Sequence, residues 1–151
     1  IWTDVDGVQT ADPKLVPGTR TVPIISYDEA AQLAVLGARV MHPKMIEPVV
    51  PQRIPVSIRN SRAPERDGTL ICAVSEPSAG VVKAIAHRMN ATHALVGCVG
   101  DGLNNGSASA AAVRQVDPTL EWKSTAPSNL VATVERERVP EIVRQIHDRL
   151  F

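Results

Sequence analysis

A short polar stretch near the start of the chain, TDVDGV at residues 3–8, has the composition of a ligand-binding loop. Residues 1–5 predict the end of a buried strand, and α/β proteins bind ligands where their strands end. Short polar side chains and Gly7 allow backbone N–H groups to approach a base or a phosphate. An Asp-Gly pair is equally typical of an ordinary turn, so these six residues alone leave both interpretations open.

The charge balance excludes several classes of partner. Sixteen Lys and Arg residues stand against sixteen Asp and Glu residues, and the net charge of zero provides no field that would gather nucleic acid or an anionic membrane. No apolar run approaches the roughly 20 residues of a bilayer span, and no signal segment opens the chain, so we expect a cytoplasmic protein. The chain begins with Ile1 in an apolar run, which we interpret as a piece of a longer protein.

The core must consist of aliphatic side chains, because 44% of the residues are hydrophobic but only 3% are aromatic. Cys72 and Cys98 each stand alone in an apolar run. Such cysteines are typical of buried structural positions, not of metal ligands or disulfides, and the sequence predicts no metal site.

Around the polar stretch the sequence predicts strands and helices in alternation. A long loop over residues 6–18 leads to Ser26 and Glu29, which form a capping box at the start of a helix that extends to about residue 39. The other predicted elements of this part are a short helix over 43–50 and strands over 54–59 and 69–74. A domain boundary is expected near residue 71.

The second half has a different order of elements. A helix is predicted over residues 80–90, because Val81, Val82, Ile85 and Met89 share one helical face. From residue 93 the order is strand, helix, strand, strand, helix, with elements at 93–99, 107–116, 120–124, 128–135 and 139–150. This order predicts a ferredoxin-like βαββα unit, in which both helices cover one face of an antiparallel sheet.

Longer strings carry a family resemblance. TDVDGVQTADP at residues 3–13 resembles a segment of the amino acid kinase family, which uridylate and glutamate 5-kinases share. The later strings are similar to aspartate kinases: ISYDEA at 25–30, LGARVMHP at 36–43, IPV at 54–56, RN at 59–60 and GTLI at 68–71. These later strings disfavour glutamate 5-kinase. The resemblance over residues 1–71 implies an α/β fold that corresponds to the C-terminal part of an amino-acid kinase αβα fold.

The resemblance implies a site for ATP with Mg²⁺. In aspartate kinases the TD pair and its loop enclose the nucleoside, and cations after DP and after GA reach the phosphates. The nucleotide-binding residues implied here are Thr3, Asp4, Gly7, Val8, Gln9, Asp12, Lys14, Arg39 and Val40. Thr3 and Asp4 would contact the nucleoside, Lys14 and Arg39 the phosphates, and Asp12 would orient Lys14 or the ribose.

Some positions depart from the family pattern or have a second interpretation. Gln9 stands where many relatives have Tyr. Lys14 stands where Arg is more usual, and Arg39 stands where Lys is more usual; both changes keep the positive charge but alter the geometry of the hydrogen-bond donors. Arg39 could instead be a helix-end cation, and His42 is expected to cap or pack. The family's KFGG and GGSD segments, which supply the catalytic Lys and the aspartate-binding groups, are not among these 151 residues. The catalytic residues are therefore unknown, and we expect no turnover by this chain alone.

The tail resembles the second ACT unit of aspartate kinases, through ALVGCVGDGL at 94–103 and SNLVATV at 128–134. Residues 72–151 are therefore expected to be an ACT-like regulatory domain in which the first ACT unit is shortened. The resemblance implies lysine or threonine as an effector and a homodimer formed through residues 94–134. Because residues 72–93 are too few for a normal first unit, we expect feedback control by these amino acids to be weak or absent.

The function implied is that of an aspartate kinase, with ATP and L-aspartate as substrates and 4-phospho-L-aspartate as product, on the route to lysine, threonine and methionine. The alternative is a non-catalytic ACT-containing regulatory subunit that binds an amino acid and pairs with a catalytic chain. The sequence leaves open which of the two applies and which amino acid regulates.

Overall fold

Two sheets organise the protein, and the computed structural model describes residues 1–38, 42–73, 80–103 and 106–151. The first sheet has the order β1-β3-β4-β2 and contains β1 (Trp2–Thr3), β2 (Ile24–Ser26), β3 (Val56–Asn60) and β4 (Thr69–Cys72). The second has the order β5-β6-β7 and contains β5 (Ala84–Met89), β6 (Ala94–Val99) and β7 (Asn129–Val134). The helices are α1 (Tyr27–Val35), α2 (Ala108–Val116) and α3 (Val139–Leu150), with short 3-10 helices at Pro43–Met45 and Arg136–Arg138.

The first sheet is mixed, and its pairing positions the polar loop. Strand β1 runs parallel to β3, so that Thr3 lies opposite Asn60, and β2 runs parallel to β4. Strands β3 and β4 are antiparallel. Strand β2 was not predicted, and its middle residue Ile25 is fully buried. The parallel β1–β3 pair brings the ends of two strands to one edge, where a ligand site is expected in α/β proteins.

Helix α1 begins as predicted and ends early. The capping box is confirmed: the backbone N–H of Glu29 donates to Ser26 Oγ at 3.1 Å, and the N–H of Ser26 donates to Glu29 Oε2 at 2.7 Å. The helix ends at Val35 and not near residue 39. Gly37 has φ +92°, a left-handed conformation that favours glycine and terminates helices.

The predicted helix over 43–50 is wrong in length. Only Pro43–Met45 is helical, as a 3-10 helix, and turns follow it. Pro48 has no N–H to continue a hydrogen-bonded helix, which accounts for the early end. The capping interpretation of His42 is confirmed, because its Nδ1 accepts a hydrogen bond from the backbone N–H of Lys44 at 3.3 Å.

The helix predicted over residues 80–90 is wrong, because this segment contains strand β5. Ile85 packs in a core cluster with residues of α2 and α3, whereas Ala84 and Ala86 pack in a second cluster with residues of α1. A strand that is buried on both faces loses the alternation of apolar and polar residues that identifies strands in a sequence. The helical spacing of the apolar residues was therefore misleading.

The strand predicted over 120–124 is reduced to one antiparallel bridge between Lys123 and Val131. A turn at Asp117 and Thr119 precedes the predicted strand, since Asp117 Oδ1 accepts hydrogen bonds from the backbone N–H and the hydroxyl of Thr119. The other tail elements are confirmed within one or two residues, and Ser107 caps α2 through the N–H of Ala110. The tail thus has the observed order ββαβα, with an added strand before the predicted unit.

The core lies on both faces of the second sheet. Helices α2 and α3 cover one face, where Val113, Ile142 and Ile146 are fully buried. Leu36, just after α1, covers the other face and lies so close to Gly97 that a Cβ there would meet Leu36 Cδ1 at 2.4 Å. Cys98 is fully buried, and burial raises the pKa of its thiol to about 12, which confirms a structural role for that cysteine. Cys72 is only half-buried.

Candidate nucleotide site

The candidate site is a loop that starts at the end of β1. The carbonyl of Thr3 accepts hydrogen bonds from the backbone N–H and the hydroxyl of Ser61, at 2.8 and 3.0 Å, which fix the point where the chain leaves the sheet. Thr3 is half-buried and Asp4 is exposed. Both predicted nucleoside-contacting residues therefore lie at the strand end, where a ligand can reach them.

Gly7 and Val8 are held against the buried side chain of Thr69. Gly7 has φ +121°, and a Cβ there would lie 2.5 Å from Thr69 Oγ1, so only glycine fits without displacing the loop. The N–H of Val8 donates to Thr69 Oγ1 at 2.9 Å, and the Thr69 hydroxyl donates to the carbonyl of Val22 at 2.7 Å. The loop wall predicted at these positions is thus fixed from behind by β4.

Asp6, which sequence reasoning did not assign to the site, carries its main electrostatic interactions. Its Oδ1 accepts a hydrogen bond from Asn60 Nδ2 at 2.7 Å, and its Oδ2 forms an ion pair with Arg66. The hydrogen bonds from Asn60 and then Arg66 lower the pKa of Asp6, so this carboxylate stays ionised. Asn60 is 54 residues from Asp6 in sequence, and only the pairing of β1 with β3 brings the two side chains together.

The remaining described site residues follow along the loop. Gln9 forms a bridge with Thr21, and its Nε2 donates to Thr21 Oγ1 at 3.0 Å. Asp12 Oδ1 accepts the backbone N–H of Lys14 at 2.9 Å, so the expected link between Asp12 and Lys14 exists through the backbone. The side chain of Lys14 is exposed and available to an anion. Arg39 and Val40, the other two predicted residues, lie outside the described residues.

An open surface cavity of about 390 Å³ adjoins this loop. Its lining consists of Asp6, Thr21, Pro23, Arg66, Asp67 and Gly68. The cavity and the predicted loop meet at Asp6. The lining contains acidic side chains, Asp6 and Asp67, and a basic one, Arg66. Thr21, also in the lining, is the residue that Gln9 contacts.

In the parts of the chain that the structure describes, no helix is both long and apolar enough to cross a membrane. Within those same parts, no group of three or more His, Cys, Asp or Glu side chains could hold a metal ion.

Comparison with known proteins identifies the family. The model of the amino acid kinase family matches residues 1–60, which include the whole loop. The bifunctional aspartokinase/homoserine dehydrogenase of Haemophilus influenzae is 46% identical over 90 residues, which is 60% of this chain and 11% of that protein. These matches support a fragment of an aspartate kinase. The chloroplastic bifunctional aspartokinase/homoserine dehydrogenase 2 of Zea mays is 36% identical over 99% of this aspartate kinase chain, which spans 17% of its length.

The solved structures agree on the fold. Escherichia coli aspartokinase III in complex with aspartate and ADP superposes with a TM-score of 0.86 at 21% identity, over 99% of this chain and 51% of that one. The same enzyme in complex with lysine and aspartate gives a TM-score of 0.78. Both sheets of this aspartate kinase chain, and not only the kinase part, therefore follow the architecture of that enzyme. The α/β fold class predicted from the sequence is confirmed.

Proposed function

We propose that the chain is part of an aspartate kinase and that residues 3–14 contribute to its nucleotide site. The whole enzyme would transfer the γ-phosphate of Mg-ATP to L-aspartate and produce 4-phospho-L-aspartate for lysine, threonine and methionine synthesis. The observation that carries the proposal is the family match over residues 1–60, since it includes every described residue that the sequence analysis predicts to bind the nucleotide. The complex of the Escherichia coli enzyme with aspartate and ADP supports these two ligands.

The geometry of the loop suits phosphoryl transfer. Such reactions depend mainly on positioning and on cations near the developing charge, and less on covalent chemistry by the protein. The Thr69 contacts hold Gly7 and Val8 in place before any ligand arrives, and the exposed Lys14 is the cation on the described loop. Gln9 is engaged by Thr21, so the loop wall at this position is polar where many relatives have Tyr.

The tail is proposed to be the regulatory part, with lysine or threonine as effector. The lysine complex of the Escherichia coli enzyme supports lysine. We also propose a homodimer through the ACT-like sheet in a cytoplasmic enzyme. Strand β6 is paired on both sides, by β5 and β7, so its backbone is not available to a partner. A partner chain would have to use the edge strands β5 and β7 or the helices.

Calorimetric titration with Mg-ADP tests the proposal. The purified 151-residue chain should bind Mg-ADP weakly and show no phosphorylation of aspartate. Lys14→Ala should weaken binding by roughly 1–3 kcal/mol if Lys14 makes a charge-assisted hydrogen bond to phosphate. The matched control is Lys44→Ala, which removes an equally exposed lysine from the 3-10 helix.

Each outcome of the titration has a definite meaning. Equal affinities for the two variants would exclude Lys14 from the phosphate site. A chain that binds lysine or threonine but no nucleotide would be a regulatory subunit, which is the alternative function. Turnover of ATP with aspartate would show that the chain contains its own catalytic and aspartate-binding groups.

A further inference from the structure

The loop that carries Asp12 and Lys14 is attached to helix α3 of the tail. Thr10 Oγ1 and His147 Nε2 are 2.9 Å apart, and both residues are buried. Arg144 Nε donates to the carbonyl of Leu15 at 2.7 Å. Ala11 and Val16 are buried in the same core cluster as Ile142 and Ile146 of α3. The base of the loop is therefore packed on a helix that is far away in sequence, with 129 and 137 residues separating the two hydrogen-bonded pairs.

Thr10 provides the buried side-chain hydrogen bond of this attachment. Its Oγ1 accepts the backbone N–H of Arg20 at 3.1 Å, and its backbone N–H donates to the carbonyl of Arg20 at 2.9 Å. Its own carbonyl accepts the N–H of Ile85, in β5, at 2.8 Å. With these three contacts fixed, the Thr10 hydroxyl proton is free for one more acceptor, and His147 Nε2 is in position to accept it.

This arrangement favours a neutral imidazole whose Nε2 carries no proton. A proton on Nε2 would reverse the hydrogen bond, and the buried hydroxyl proton of Thr10 would then lose this acceptor. Burial lowers the pKa of His147, the positive charge of Arg20 lowers it further, and the negative charge of Asp148 opposes them. The ring also stacks on Phe151, with 4.9 Å between centroids, which fixes its plane.

We propose that His147 is a positioning residue for the nucleotide loop: its hydrogen bond to Thr10 holds residues 8–16 in the shape that presents Lys14 to the phosphates. The inference rests on the proposed nucleotide function. It assigns a role in the nucleotide site to a side chain of the ACT-like tail that does not touch the nucleotide.

The test compares His147→Phe, Thr10→Val and the double variant with the unchanged chain. Phe keeps the stacking on Phe151 but removes the ring nitrogens, and Val keeps the shape of Thr10 but removes its hydroxyl. Gln145→Ala is the control, because Gln145 is exposed on α3 and its side chain binds only Glu141 of the same helix among the described contacts.

The first measurement is amide hydrogen exchange in peptides covering residues 8–21, without nucleotide. Each single variant should exchange about tenfold faster there, and the double variant no faster than the singles, because both remove the same hydrogen bond. The Gln145→Ala control should leave exchange unchanged. In the unchanged chain, exchange corrected for intrinsic pH effects should also accelerate as the pH falls below about 6.5, the ordinary pKa of His, and this acceleration should disappear in His147→Phe.

The second measurement is the Kd for Mg-ADP, which should rise about tenfold in both single variants and equally in the double. If the unchanged chain binds no nucleotide, the proposed function fails, while the exchange data still decide the role of His147. Unchanged exchange in both single variants overturns the inference. Acceleration spread over the whole chain overturns it as well, because His147 would then act only through general packing.

Discussion

Glu29 offers the sharpest test of how the two sheets are joined. Its side chain is fully buried, and its Oε2 accepts hydrogen bonds from the N–H of Ser26 and from Lys83 Nζ, at 2.7 and 3.0 Å. Its Oε1 accepts the backbone N–H of Asp101 at 2.8 Å. Ser26 precedes α1, whereas Lys83 and Asp101 flank β5 and β6, so one carboxylate connects the first part of the chain to the second sheet.

Replacing this carboxylate with an amide of the same shape should strongly destabilise the protein. In Glu29→Gln the amide oxygen can retain the N–H of Asp101, but the NH₂ group then faces two donors, the N–H of Ser26 and the ammonium of Lys83. The Lys83 side chain is only 11% exposed and would be left without its carboxylate. Breaking a buried ion pair in this way costs about 3–5 kcal/mol. At about 2–4 °C per kcal/mol for a chain of this size, Tm should fall by roughly 6–20 °C.

Urea unfolding followed by circular dichroism measures this difference, and the chain provides a matched control. Asp28→Asn removes one negative charge from the same first turn of α1, but Asp28 is exposed. The helix-dipole contribution, about 0.3–1 kcal/mol, is therefore lost in both variants, and the excess in Glu29→Gln reports the buried contacts. Adding Lys83→Met to Glu29→Gln should recover part of the loss, because no buried cation is then left behind. Equal free energies of unfolding for Glu29→Gln and Asp28→Asn would refute the reasoning.

Three further predictions concern the loop, the tail and the assembly. Gly7→Ala should lower the free energy of unfolding by about 1–3 kcal/mol, because the left-handed φ of Gly7 is strained for alanine and the new Cβ meets Thr69. Urea unfolding should show a smaller loss for Gly18→Ala, since a Cβ at Gly18 would lie in open space. Hydrogen bonds, foremost that of Thr119, hold the pKa of Asp117 at about 2, so its stabilising contribution should be complete above about pH 5 and lost towards pH 2; Tm measured across this range should converge for the unchanged chain and Asp117→Asn. Light scattering at micromolar concentration should give the mass of a homodimer, and a monodisperse monomer would contradict this.

The elements that sequence reasoning predicted correctly depend on local patterns. The N-terminus of α1 follows from Ser26 and Glu29, three residues apart, and the inward face of α3 follows from apolar residues at helical spacing. Both patterns act within one or two turns of a helix. They can therefore be recognised without knowledge of the partners that those faces meet.

The error at β5 has a nonlocal cause. Whether residues 84–89 form a helix or a strand depends on what covers each face, and here α1 covers one face while α2 and α3 cover the other. The sequence of β5 alone contains no alternation, because two layers bury it. The missing strand at 120–124 has a local cause instead, because Asp117 and Thr119 form a turn just before it and only Lys123 pairs with β7.

The strings that resemble the family predict the position of the candidate loop but not the groups that hold it. Those groups come from elsewhere in the chain: Asn60 and Arg66 contact Asp6, Thr69 contacts Val8, and His147 contacts Thr10. These pairs are 54 to 137 residues apart in sequence. No spacing rule connects residues at such distances, and only the pairing of the strands and the docking of α3 bring them together.

The contacts across residue 71 argue that the two sheets fold as one unit. The predicted boundary near residue 71 falls within β4, the last strand of the first sheet in the chain. Ala11 and Val16 from the first part are buried in the cluster around α3, and Ala84 and Val131 from the second part are buried in the cluster around α1. Each core therefore contains side chains from both parts, and neither sheet could keep its core if the other unfolded. Since cooperativity follows from shared buried contacts, chemical unfolding of this chain should show a single transition by every probe, and the nucleotide loop should lose its order together with α3.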